Sequence, residues 1–367
     1  MAPPEPRLLL GVGCACGALA CWTAAPLLIK FLSGVLTNAH TQNGWRFLVA
    51  VLSWTPFLMK RARAIPRVAW KRALVPASLM SIGQISLVLA IYLVSATMAV
   101  FALRSMMVSA AIGSAIAFPC ERRLLRQKRF LAAGAILLGG SVGVAALGEK
   151  GLGERNTAEG VVLSFLSGIV YGLYGVATSA LLTSPKRVPA VERVTANEAF
   201  AVQCVFIFVV MAVAFFVWGE NQWSELAAMD GRGWAAFLFS AWTGIAIGHA
   251  LYFRALDEAG ACVATAIIQL QPLTVGIGSY LCFDERFTPG QLVSGLVAIG
   301  GAAAMVWTKT RLKEDRAEEA EEDEKADGDG GGRQHAKAAA ITSSSSREVE
   351  ADAAAAVDVK SVELQVT

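Results

Sequence analysis

The sequence predicts an all-α membrane protein: ten transmembrane helices arranged as two inverted five-helix repeats, followed by a disordered C-terminal tail. Three observations predict it. Only 17% of the 367 residues are charged, against about a quarter in a soluble globular chain, and the mean hydropathy is +0.52. Charge-free runs recur through residues 1–308, and roughly twenty apolar residues suffice for one crossing of a bilayer. The two halves of that stretch also resemble each other. This composition excludes a soluble enzyme, a nucleic-acid binder and a secreted disulfide scaffold. A backbone in lipid must satisfy its own hydrogen bonds, and loops this short leave no barrel strands, so the spans are helices.

Residues 8–29 run without a charge. A signal peptide is the rival reading, but the run exceeds a usual signal core and only Arg7 precedes it, so a retained first helix is expected. The second span, 44–59, is the weakest, because only Phe47–Met59 is charge-free; Arg46 would reach the headgroups from its end. Between Arg72 and Glu121 the one charge is Arg104. A single helix of that length would be more than twice the hydrocarbon thickness, so two spans are predicted, turning near Ser95. Further spans follow at 130–148, 160–183, 199–219, 233–254, 259–283 and 287–308. The seven cysteines are scattered, mostly inside apolar spans, with no pairing at metal-ligand spacing. They read as small buried hydrophobes, and neither a metal site nor a cofactor is expected. Small-residue pairs suit close helix contact: Gly13/Gly17, Gly139/Gly143, Gly168/Gly172 and Gly244/Gly248. One such face leaves room for a homodimer.

The internal resemblance has specific anchors. Residues 131–140 read LAAGAILLGG and residues 292–301 read LVSGLVAIGG, 161 positions later. The stretch from Gly83 parallels that from Gly248, Glu121-Arg122 parallels Glu285-Arg286, and Asn43 parallels Asn197. Gln84 and His249 thereby become counterparts. Five spans per copy is an odd number, so the second copy is inverted in the membrane, a recurring plan of secondary transporters. The expected boundaries are 1–148 for the first repeat, 149–159 for an external inter-repeat loop, 160–308 for the second repeat and 309–367 for the tail. Of the 23 bases in 1–308, 16 fall on the cytoplasmic side and 4 outside if the N-terminus is inside. That bias puts both termini in the cytoplasm. The cell membrane is the expected location, with an organelle membrane as the alternative. The tail, with its acidic block Glu314–Asp329 and Ser343–Ser346, cannot bury enough apolar area to fold. It reads as solvated, or as a segment that binds a partner protein after serine phosphorylation.

Several residues resemble the EamA-type branch of the drug/metabolite transporter superfamily. They are Ala255-Leu256, Ala259-Gly260-Ala261, Gln271-Pro272, Asp284-Glu285-Arg286 and Gly295 through Gly301, with Trp22, Lys30, Trp45-Arg46-Phe47, Glu121 and Gly134 in the first half. The resemblance covers about residues 8–308. The chain departs from the pattern at Arg104-Ser105-Met106-Met107, where the family usually has a proline, and at Phe200, which stands about where a second arginine would match Arg46. The resemblance implies transport of a small metabolite through a central cavity.

Ionisable residues inside spans are expensive, at roughly 2.5–3.5 kcal/mol for Arg or Lys at a helix centre, and mark sites or partners. Arg104 reads either as a contact for an anionic substrate or as a structural cap. Lys30 lies at the outer end of the first span, as a substrate contact or an interface anchor. His249 could carry a coupling proton or sit satisfied between helices; Glu198 has the same two readings, coupling or interface. Gln84, and Gln269 and Gln271 before Pro272, could line a cavity, as could Trp22, Tyr171, Tyr174 and Tyr252, although packing and interface belts also explain such residues. Glu121 and Glu285 read as solvated.

The expected activity is secondary transport by alternating access, with a small-molecule substrate and the lipid bilayer as partners and no nucleic acid. The alternatives are a membrane-embedded enzyme, for which no catalytic cluster is visible, and a scaffold signalling through its tail. Orientation is directly testable. Single cysteines at Ala64 and Gly153, in a background without native cysteines, should label from opposite sides of the membrane; labelling of both by an impermeant reagent in intact cells would refute the assignment.

Overall fold

In the computed structural model, residues 6–147, 157–185, 187–221 and 223–328 are described, and among them there is helix and no strand. The expected external loop, with Lys150 and Arg155, falls almost wholly outside the described residues. The first span is α1 (Pro6–Leu32), the second α2 (Ala39–Arg61), and the third α3 (Arg67–Leu93). The fourth is divided into α4 (Ala96–Leu103) and α5 (Met106–Ala117); the short α6 (Arg122–Leu125) leads into α7 (Lys128–Ala146). Helix α8 (Ala158–Thr178) ends in a π-helical turn at Ser179–Thr183 and is followed by α9 (Ala196–Trp218). After the short α10 (Ser224–Ala228) come α11 (Gly231–Ala241), a π-helical segment Trp242–Ile247, α12 (Gly248–Ile268), α13 (Gln271–Phe283) and α14 (Pro289–Gly328).

The helix starts follow from local chemistry. Side-chain oxygens of Asn38, Ser95, Thr157 and Asp230 accept hydrogen bonds from the first free N–H groups of α2, α4, α8 and α11. Thr195 and Glu198 form a reciprocal capping box at the start of α9, each answering a backbone donor that a helix N-terminus leaves unpaired. The expected turn near Ser95 is therefore the cap of α4.

The structure differs from the expectations at three places. Among the described residues, nine helices are long and apolar enough to cross a membrane. Helix α2 has 23 residues but is not among them, because its polar first turns (His40, Thr41, Gln42, Asn43) and Arg46 dilute its apolarity. The eighth and ninth spans, expected at 233–254 and 259–283, correspond to the candidate spans Gly231–Leu256 and Val263–Phe283, but the backbone between them does not turn: α12 remains helical from Gly248 to Ile268. That stretch has no proline, and the Arg254–Glu258 pair, 3.2 Å apart and one turn along the helix, favours its continuation. The interruption comes later, at Gln269-Leu270. Helix α14 passes the expected boundary at 308 and is described as far as Gly328; the remainder of the expected tail, 329–367, lies outside the described residues.

The helix packing below belongs to the unit Met1–Thr310. Helix α1 packs on α12 and α11, α3 on α8, α2 on α9, and α4 on α13. Gly140 lies against the backbone of Ser294 and Ala298, where an added Cβ would come within 2.5 Å of the Ala298 nitrogen. Gly301 meets Leu137 and Ala133 in the same way, again at 2.5 Å from a backbone nitrogen. The contact is reciprocal, because each glycine meets the counterparts of the residues that meet the other. Gly168 and Gly172 similarly admit the chain around Ser105 and Ser109, whereas Gly13 and Gly139 face open space.

Side chains added at the α7–α14 crossing have nowhere to go. Gly140→Leu or Gly301→Leu should destabilise the protein by about 1–3 kcal/mol, the usual range for overpacking. Gly139→Ala should stay within about 0.5 kcal/mol of wild type. Thermal unfolding in detergent would check both.

Candidate functional site

Two buried arginines organise the interior. The first, Arg104, stands where α4 ends and α5 has not begun. Its residue is 3% exposed. The Nε group donates to the Val100 carbonyl at 3.4 Å, and Nη1 donates to the Ile268 carbonyl and Gln269 Oε1, each at 3.4 Å. Nη2 donates to Gln271 Oε1, while Gln271 Nε2 donates to the Trp22 carbonyl at 2.6 Å. The guanidinium thus caps the C-terminal ends of α4 and α12 together. Both ends carry free carbonyls and partial negative charge, which suit a cation.

The second is Arg46, 1% exposed, so it is not the headgroup anchor that the sequence suggested. The reason lies on a distant segment, α11 and the π-helical turn after it. Nε donates to Ser240 Oγ and Nη2 to the Ser240 carbonyl, both at 3.1 Å, and Nη1 reaches Asn43 Oδ1 at 3.5 Å. Gly244 provides the space, since a Cβ there would lie 2.8 Å from Nη2. Asn43 also meets Gln84: Gln84 Nε2 donates to Asn43 Oδ1 at 3.4 Å. The Tyr171 hydroxyl donates to Gln84 Oε1.

An aromatic group adjoins these polar groups. The Trp22 ring lies 5.2 Å from His249 and 5.0 Å from Tyr252. His249 stacks on Phe200 at 4.4 Å with an interplanar angle of 11°. Its Nδ1 lies 3.0 Å from the Ile245 carbonyl, inside the π-helical segment, an irregularity frequent at functional sites.

The structure therefore brings Arg104, Gln269, Gln271, Trp22, Tyr252 and His249 into one connected group, and Gln84 with Tyr171 into another beside Arg46. Tyr174 packs against the same buried cluster as Tyr171 and Tyr252. Lys30 stands apart, with Nζ 3.2 Å from the Val94 carbonyl at the end of α3. Glu198 is also apart, in its capping box and 3.4 Å from Arg61. Glu121 pairs with Lys309 at 3.7 Å, and Glu285 accepts from Thr97 at 3.2 Å, so neither is simply solvated. Arg46 and Ser240 were missed. A signal for Arg46 existed: Asn43 and Arg46 are three residues apart and share a helix face.

The nine long apolar helices among the described residues mark an integral, multi-pass membrane protein. Residues 158–307 match the EamA-like transporter family, which belongs to the drug/metabolite transporter superfamily; the match covers the second half of the chain. No curated protein matches the chain. One solved structure, described only as "Crystal structure of protein", shares the fold with a TM-score of 0.57 at 15% identity, covering 84% of this chain and 99% of its own.

If Arg104 holds two helix ends, its loss should register as instability. Arg104→Gln leaves carbonyls unpaired away from water, at roughly 1–3 kcal/mol each. A lowered unfolding temperature is expected; an unchanged one would show that the cap carries no weight.

Proposed function

We propose that the protein is a secondary transporter that moves a small metabolite across a membrane by alternating access. In this reading, 1–148 and 160–308 are inverted five-helix repeats, α2 supplies the tenth span, and both termini are cytoplasmic, most simply in the cell membrane.

The observation that carries it is a set of reciprocal contacts. Trp22 on α1 lies over Gly248 and beside His249 on α12, while Tyr171 on α8 lies over Gly83 and bonds Gln84 on α3. Gly83-Gln84 and Gly248-His249 are the counterpart pairs of the sequence comparison. The crossing of Gly140 and Gly301 repeats the pattern, and the breaks at Arg104-Ser105 and Gln269-Leu270 meet at the Arg104–Gln269 bond. Two halves that contact each other through equivalent surfaces are related by a two-fold operation. Discontinuous helices meeting at such an interface are where secondary carriers hold substrate, and rocking of one half against the other exchanges the open side.

Reconstitution of the full chain in liposomes, followed by exchange assays over a metabolite panel, tests the reading. Trp22→Ala should insert normally and lower exchange about tenfold or more. A chain ending at Leu312 should retain flux; loss of every function with the tail, and no solute moved by the full chain, would favour the signalling scaffold instead.

A further inference from the structure

We propose that the transported substrate is an organic anion with a flat apolar body, its charged oxygens held by Arg46 and its body against Trp22. This deepens the transport reading and rests on it. The two buried arginines differ in what balances them. Arg104 faces the carbonyl ends of α4 and α12 and two glutamine oxygens. Arg46 has only Ser240 and Asn43, both neutral, and no carboxylate lies within ion-pair distance of it among the described residues. Three of its five N–H groups have partners there, one of them at 3.5 Å. A buried guanidinium without a counter-charge is costly, and its planar fork fits a carboxylate with two parallel bonds.

The body of the ligand follows from the neighbouring wall. Arg46 Nη2 occupies the space at Gly244 and the Trp22 indole occupies the space at Gly248. These glycines are four residues apart along one helix, roughly 6 Å of rise. A charged head and a ring separated by a short chain span that distance. The Trp22 ring is flanked by His249 and Tyr252, and Phe200, standing about where a second arginine would be, stacks on His249. The first half supplies Arg46 and Trp22, and the second supplies the His249 and Tyr252 rings that flank Trp22.

Three probes with one body and different charge test this on the purified full chain: 3-phenylpropionate, 3-phenylpropylamine and 3-phenylpropanol. The acid should raise the unfolding temperature saturably, as a ligand of the folded state must, while the amine and the alcohol should not. Arg46→Gln should weaken the acid's effect at least tenfold, whereas Arg104→Gln should start from a lower baseline and still respond. Should Arg46→Gln fail to fold, Gly244→Ala carries the same test, because its methyl would displace the guanidinium. No response to the acid, an equal response to the amine, or an undiminished response after displacement of Arg46 overturns the assignment. Flux of other solutes without acid binding would overturn it and leave the carrier standing. Arg46-dependent binding without flux of any solute would leave the anion site and overturn the carrier.

Discussion

A helix interrupted inside a bilayer exposes carbonyls that water cannot reach, and the rest of this interior is arranged around that constraint. Arg104 meets it at two places at once, bonding Val100 at the end of α4 and Ile268 at the end of α12. One guanidinium thus serves both breaks. Gln271, the first residue of α13, extends the tie to the Trp22 carbonyl on α1, so four helices share one polar junction. A hydrogen bond is worth more where no water competes, and an unpaired group is correspondingly dearer.

The helical spans were legible in the sequence because hydropathy reports what the bilayer demands of each segment by itself. Ser95 could be placed as a turn because no single helix fits between Arg72 and Glu121. Breaks within spans are set by packing between segments, which composition does not carry. The two spans expected around Arg254 are found, but the backbone joining them is helix and not loop for this reason, since the charges there pair along a helix. Arg46 failed in the opposite sense. Its position near a span end matched a headgroup anchor, and only the space left by Gly244, nearly two hundred residues away, draws it inward. Of the candidate site, residues that are conspicuous by themselves, such as the in-span Arg104 and Gln271 before Pro272, could be named from the sequence. The pairing of Arg46 with Ser240, which exists only across distant segments, could not.

On the proposed two-repeat reading, the reciprocal glycine contacts are positions at which both halves need the same small residue. Gly140 and Gly301 each meet backbone, which cannot adjust rotamers as a side chain can. Close approach at these points fixes the crossing of α7 and α14 and leaves the faces toward the interior free to diverge.

That divergence has a consequence for the idle protein. Two identical halves would make the inward-open and outward-open forms mirror one another in energy, and an empty carrier would divide its time evenly between the two sides of the membrane. With arginine in one half and Phe200 about where the second would be, swapping the roles of the halves changes the surroundings of a full charge. Even about 1.4 kcal/mol of difference is a tenfold preference. On the proposed alternating-access reading, a carrier with this interior rests facing one compartment, so solute on that side meets a site already open to it.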